Sequence, residues 1–133
     1  MLKIQRLSPA LGAILETPGF DEASLPALAD AAYEALLEHQ VIFFRGTDIS
    51  PAAHLAFARA FGEIDEPHPI YPSVDGYDHI VKLENNSDTP PDTNSWHTDL
   101  TYKRVQPFAS ILVARTVPEL GGDTLWSSLY AAY

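Results

Sequence analysis

Residues 96–102 read Trp-His-Thr-Asp-Leu-Thr-Tyr, and within them His97 and Asp99 are the side chains best suited to hold a metal. On an extended backbone, side chains two positions apart point to the same face. His97 and Asp99 would then project together while Thr98 turns away. An imidazole nitrogen and a carboxylate oxygen are donors that Fe(II) accepts, and a facial triad of two histidines and one carboxylate leaves three positions open for other ligands. Zinc accepts the same two donors. A His-x-Asp pair also arises at any polar strand end, and on spacing alone a solvated turn after Pro90-Pro91 is its commoner origin. Trp96 and Tyr102 flank the pair and are better read as pocket walls than as reacting groups.

Other polar side chains have a plain reading beside a chemical one. His68 and Tyr71 lie among Pro67, Pro69 and Pro72, where they could be a solvated loop histidine and a packing ring. Thr124 follows Gly121-Gly122 and Asp123, where a threonine can simply stabilise a turn. His39 and His54 fall on expected helices and His79 opens an expected strand; none of the three is assigned a role.

The elements that must position these residues are legible from hydrophobic spacing. Residues 3–7 alternate as a short strand closed by Ser8-Pro9, suited to a sheet edge. From Ser24, a good N-cap, Leu25, Leu28, Ala29, Ala32, Leu36 and Leu37 recur at helical spacing to about His39. Residues 41–44 form a wholly apolar run stopped by Arg45-Gly46, which suits a buried strand entered directly from that helix. Ser50-Pro51 offers a second N-cap with proline at the first helical position. Ala53, Phe57 and Phe61 mark one face of this second helix, and Gly62 fits its C-terminal cap. Residues 65–77, rich in proline, read as an ordered irregular loop of the kind that carries function. Residues 79–83 alternate weakly as a strand, residues 85–95 must be loop, and residues 110–116 form the best interior strand, ended by Pro118. Another strand is expected to start over residues 123–126. Helices early and strands late, without regular alternation, point to an α+β fold with a largely antiparallel sheet.

Composition removes several function classes. The 133 residues hold 18 acidic against 8 basic side chains, a net charge of −10, which repels a phosphate backbone. Nucleic acid is not an expected partner. With no cysteine, there is no thiolate nucleophile, disulfide, zinc ribbon or iron–sulfur cluster, so any metal must be held by His, Asp or Glu. No run approaches the ~20 apolar residues of a membrane helix. The first residues lack the apolar core of a signal peptide, so a cytoplasmic location is the default expectation.

Taken together, Trp96-His97-Thr98-Asp99-Leu100-Thr101-Tyr102 and the later Gly121-Gly122-Asp123-Thr124-Leu125-Trp126 closely resemble the paired signature of the taurine dioxygenase family of Fe(II)/2-oxoglutarate enzymes. Val41-Ile42-Phe43-Phe44-Arg45, Phe61-Gly62-Glu63 and His68-Pro69-Ile70-Tyr71-Pro72 resemble further family segments in the same order. The resemblance therefore spans essentially the whole chain. It implies a distorted double-stranded β-helix, or jelly roll, with flanking helices. It also implies Fe(II) as metal, 2-oxoglutarate as co-substrate, and molecular oxygen as oxidant. His97 and Asp99 match the first two iron ligands, Thr124 a threonine that binds a 2-oxoglutarate carboxylate, and His68 and Tyr71 two side chains of a sulfonate pocket.

The implied reaction oxidises the carbon next to a sulfonate or sulfate group of a small anionic organic substrate. It releases an aldehyde and sulfite or sulfate, together with succinate and CO2. Four positions before His97 stands Thr93, where taurine-specific members carry an asparagine; Asn94 comes one place later. Asn94-Ser95-Trp96 also resembles the alkylsulfate-oxidising relatives, so both substrate classes stay open, with Thr93 on the substrate side. Family members continue well past the position of Tyr133. Residues 1–133 are thus expected to be the N-terminal part of one dioxygenase domain, with a distal histidine and two arginines supplied from further on. On that expectation the 133 residues alone would be inactive, and unpaired strand edges would invite self-association, a homo-oligomer included. Two rival readings remain: a non-catalytic binding or interaction fragment without iron, and a hydrolytic zinc site, the latter without a His-Glu-x-x-His motif.

Overall fold

The computed structural model describes residues 2–17, 23–91 and 95–133. The chain forms two compact units, one of residues 1–62 with 113–133 and the other of residues 63–112.

In the first unit, β1 (Lys3–Arg6) pairs antiparallel with β2 (Ala13–Glu16), Lys3 opposite Glu16 and Arg6 opposite Ala13. The turn between them closes through Leu7 N–H donating to the Gly12 carbonyl at 2.8 Å, and the Ser8 hydroxyl accepts from Ala10 and Leu11 N–H. Gly12 has a φ of 91°, a left-handed backbone that a Cβ disfavours. Along β2, Ala13 and Leu15 are buried while Ile14 is half-buried, the alternation of a strand with one covered face. That cover is α1 (Leu25–His39), whose Leu25, Leu28, Ala29, Ala32 and Ala35 are buried. Its end is tied to β2 by Gly12 N–H to the His39 carbonyl and Ala13 N–H to the Val41 carbonyl. Gln40, at a φ of 64°, turns the chain out of α1 and into β3 (Ile42–Phe43), which pairs parallel with β2. The sheet order is therefore β1-β2-β3, with β1 at an edge as its sequence suggests.

The second helix, α2 (Pro51–Arg59), begins where Ser50 accepts a hydrogen bond from Ala53 N–H at 3.2 Å, as an N-cap should. Phe57 is buried and meets Phe44 and Phe61 edge to face, at centroid distances of 5.9 and 5.1 Å. The Arg115 guanidinium donates to the Asp48 carboxylate and the Ile49 carbonyl, fastening the returning chain beside the start of α2. The short α3 (Leu129–Ala132) is capped by Ser128, whose hydroxyl also bonds the Gln40 side chain at 2.7 Å.

Among its described residues the second unit contains one hairpin, β4 (Ser73–Val74) with β5 (Tyr77–Val81), turned at Asp75-Gly76 with Gly76 at a φ of 76°. The other described residues of this unit are irregular, residues 99–102 forming a turn.

Several expectations need correction. Residues 110–116 and 123–126 are not strands: no strand pairs with them among the described residues, and β propensity is realised only where a neighbour completes the ladder. Residues 41–44 contract to the two-residue β3, half-buried because it pairs on one side only. The second helix ends at Arg59, ahead of Gly62, because i to i−3 bonds from Phe61 and Gly62 tighten its last turn. The three-stranded sheet is mixed, since α1 carries the chain over so that β3 runs parallel to β2. Strand β2 and helix α3 went unanticipated. The α+β class stands, as helices and two small sheets. No helix among the described residues is long and apolar enough to cross a membrane.

Candidate metal centre

The segment carrying His97 and Asp99 is a coil entering a turn, not a regular strand. Leu100 adopts a φ of 52°, uncommon for a residue with a Cβ, and Lys103 N–H closes on the Leu100 carbonyl at 3.0 Å. The loop is fastened within its own unit. The Lys103 ammonium lies 2.6 Å from both Asp65 carboxylate oxygens, and the Asp65 carbonyl accepts from His79 Nδ1 at 2.8 Å. The Lys103 hydrogen bond holds the Asp65 carboxyl below its usual range against a smaller desolvation that raises it. The same bond raises Lys103.

His97 and Asp99 do meet. A carbonyl oxygen only accepts, so the 2.8 Å contact between His97 Nδ1 and the Ser95 carbonyl puts the ring hydrogen on Nδ1. With the ring neutral, Nε2 offers its lone pair, 3.4 Å from Asp99 Oδ1. At that distance the two atoms can share either a proton on Nε2, as an ion pair, or a metal cation. With bonds of about 2.1 Å, two ligands stand about 3.0 Å apart at an octahedral right angle and about 3.4 Å apart at a tetrahedral one. The pair therefore fits a first-row metal, and its half-exposed side chains are open to one. Among the described residues no third His, Asp or Glu joins them.

A third group touches the pair that sequence reasoning did not find. The Ser110 hydroxyl donates to Asp99 Oδ2 at 3.0 Å. Nothing in the spacing of positions 99 and 110 announces it, because an irregular chain brings them together.

His68 and Tyr71 are also adjacent, with ring centroids 4.7 Å apart and planes at 35°. His68 Nδ1 accepts from both Ile70 and Tyr71 N–H, at 3.2 and 3.1 Å, which requires its lone pair and leaves the ring hydrogen on Nε2. Trp96 and Tyr102 are 70% and 74% exposed. Thr124 belongs to the other unit, exposed after Gly121 and Gly122, both at left-handed φ. Thr93 lies outside the described residues. His39 is buried at the end of α1, where its carbonyl anchors Gly12.

Residues 3–133 match the model of the family described as taurine catabolism dioxygenase TauD, TfdA family. The chain is 35% identical over 133 residues to an alkylsulfatase of Acinetobacter baylyi, covering 99% of this chain and 41% of that protein. It is 36% identical over 129 residues to an alpha-ketoglutarate-dependent sulfate ester dioxygenase of Pseudomonas putida, covering 96% of this chain and 40% of that protein. The chain thus spans about two fifths of the length of these relatives. Among solved structures, a putative alpha-ketoglutarate-dependent taurine dioxygenase from Burkholderia xenovorans superposes with a TM-score of 0.51 at 29% identity, covering 59% of this chain and 28% of that one.

Proposed function

Because the chain belongs to the taurine catabolism dioxygenase TauD, TfdA family, we propose that His97 and Asp99 are two ligands of an Fe(II) centre in a 2-oxoglutarate-dependent dioxygenase. The observation that carries this reading is the approach of His97 Nε2 to Asp99 Oδ1, 3.4 Å apart, two donor types a first-row metal accepts. The favoured substrate class is a sulfate ester, with sulfonates as the runner-up. The two relatives described above are named for activity on alkyl sulfates and sulfate esters. The carbon next to the sulfur-bearing group is oxidised, giving an aldehyde and sulfate or sulfite while 2-oxoglutarate becomes succinate and CO2.

When bound, iron and 2-oxoglutarate supply the oxidising centre that uses molecular oxygen. The chain's own residues bind and orient. The Ser95 carbonyl fixes the His97 tautomer so that Nε2 faces the metal. His68, its Nδ1 occupied by two backbone donors, directs the Nε2 hydrogen at the sulfate oxygens, and Tyr71 stacks against it. By the family resemblance, Thr124 would donate its hydroxyl to a 2-oxoglutarate carboxylate, and Thr93 would act on the substrate side. On this reading the third metal donor and the arginines that pair with the two anions come from sequence following Tyr133, and the complete domain closes as a jelly roll.

The full-length protein, given Fe(II), 2-oxoglutarate and a medium-chain alkyl sulfate, should form succinate and sulfate in equal amounts. His68→Ala should raise KM for the sulfate ester about tenfold, the scale of one charge-assisted hydrogen bond, with KM for 2-oxoglutarate little changed. Succinate formed without sulfate or sulfite from any alkyl sulfate or sulfonate would remove the substrate assignment. Equal weakening of both substrates would move His68 out of the anion pocket.

A further inference from the structure

We propose that Ser110 is a positioning residue of the metal centre, holding Asp99 as a single-oxygen ligand. The inference rests on the assignment of His97 and Asp99 as a metal pair and deepens it. A free carboxylate can rotate and offer a metal one oxygen or both. Here Oδ2 is engaged by the Ser110 hydroxyl at 3.0 Å, and Oδ1 is left facing His97 Nε2 at 3.4 Å.

A serine hydroxyl has one hydrogen to give, and given to Oδ2 it sets the carboxylate plane. Two consequences follow. The donor pair is preorganised, so less rotational freedom is lost when a cation arrives. Asp99 also occupies one coordination position instead of two, which keeps a further position open for the small molecules that must reach the metal. Partners of ligands in this outer position typically contribute 10- to 100-fold to metal affinity. Ser110 is itself exposed in an irregular segment, so its truncation opens no core cavity.

The test uses the full-length protein under anaerobic conditions, titrated with Fe(II) and separately with Co(II), whose visible absorption reports coordination geometry. Ser110→Ala should weaken Fe(II) binding about 10- to 100-fold and shift the Co(II) bands, while Ser110→Thr, which keeps the hydroxyl, should restore affinity to within roughly threefold. The unfolding midpoint of the metal-free Ser110→Ala protein should match that of the parent. Parental metal affinity and an unshifted Co(II) spectrum in Ser110→Ala, with binding lost in His97→Ala, would overturn the role of Ser110 and leave the metal pair standing. Parental affinity in His97→Ala would overturn the pair itself. Weak binding in both Ser110→Ala and Ser110→Thr would overturn the hydroxyl as the cause.

Discussion

At the scale of single residues, the His97 and Asp99 pair stood out in the sequence through the signature segments around it, since its spacing alone favours a solvated turn, and the structure brings the two side chains to 3.4 Å. Residues 96–98 belong to no regular strand, and a turn over residues 99–102 with left-handed Leu100 follows directly. What sequence did not disclose are the contacts around the pair. Ser110 reaches Asp99, and Lys103 reaches Asp65 across 38 positions, through irregular chain with no period to read. The Lys103 tether predicts a pH dependence. The folded Asp65 carboxyl lies below 3.8, so the contribution of the pair is fully present above that value and is lost as pH falls through the depressed one. The folded Lys103 lies above 10.5, so the contribution is also present below that value and is lost as pH rises through the raised one. The stability difference between the parent and Asp65→Asn, measured by urea unfolding, should be flat between these limits and shrink beyond each. A difference that varies across the neutral range would mean that another group carries it.

Elements were read most accurately where local chemistry and burial agree. Helix α1 begins after Ser24 and runs to His39 because its apolar spacing matches the buried row Leu25, Leu28, Ala29, Ala32. Helix α2 begins at Pro51 because Ser50 caps it. Ser50→Ala should lower stability by about 1 kcal/mol through the lost cap. Phe57→Ala should lower it by about 3–5 kcal/mol, because a buried ring and its two edge-to-face contacts are removed. Chemical denaturation of both variants checks the ranking, and a cap variant costing more than the core variant would contradict it. The strand expectation for residues 110–116 failed for a different reason. Ile111, Leu112 and Val113 have the composition of a strand, but a strand exists only as one side of a pair, and pairing partners are a property of the assembled chain. The hairpin at Asp75-Gly76 was the reverse case. Its turn dipeptide is a strong signal, overlooked because the surrounding prolines suggested a loop.

At the scale of the whole molecule, the first unit has a small core built from α1, α2 and β2, with Leu15 and Leu25 fully buried. Later residues leave large apolar side chains uncovered, among them Leu120 at 90% and Leu125 at 71% exposure. Family membership was legible because several short segments recur in one order along residues 3–133. The substrate was less so, since the residues that would select it include Thr93, whose neighbourhood composition alone does not define. The proposed activity requires the metal pair. The most direct measurement is anaerobic Fe(II) binding, with Fe(II)-dependent succinate formation, by the full-length protein and its His97→Ala and Asp99→Ala variants. Each variant should lose tight Fe(II) binding and succinate formation while keeping the parental unfolding midpoint in the absence of metal. Parental Fe(II) affinity and turnover in both variants would contradict the claim that His97 and Asp99 hold the iron.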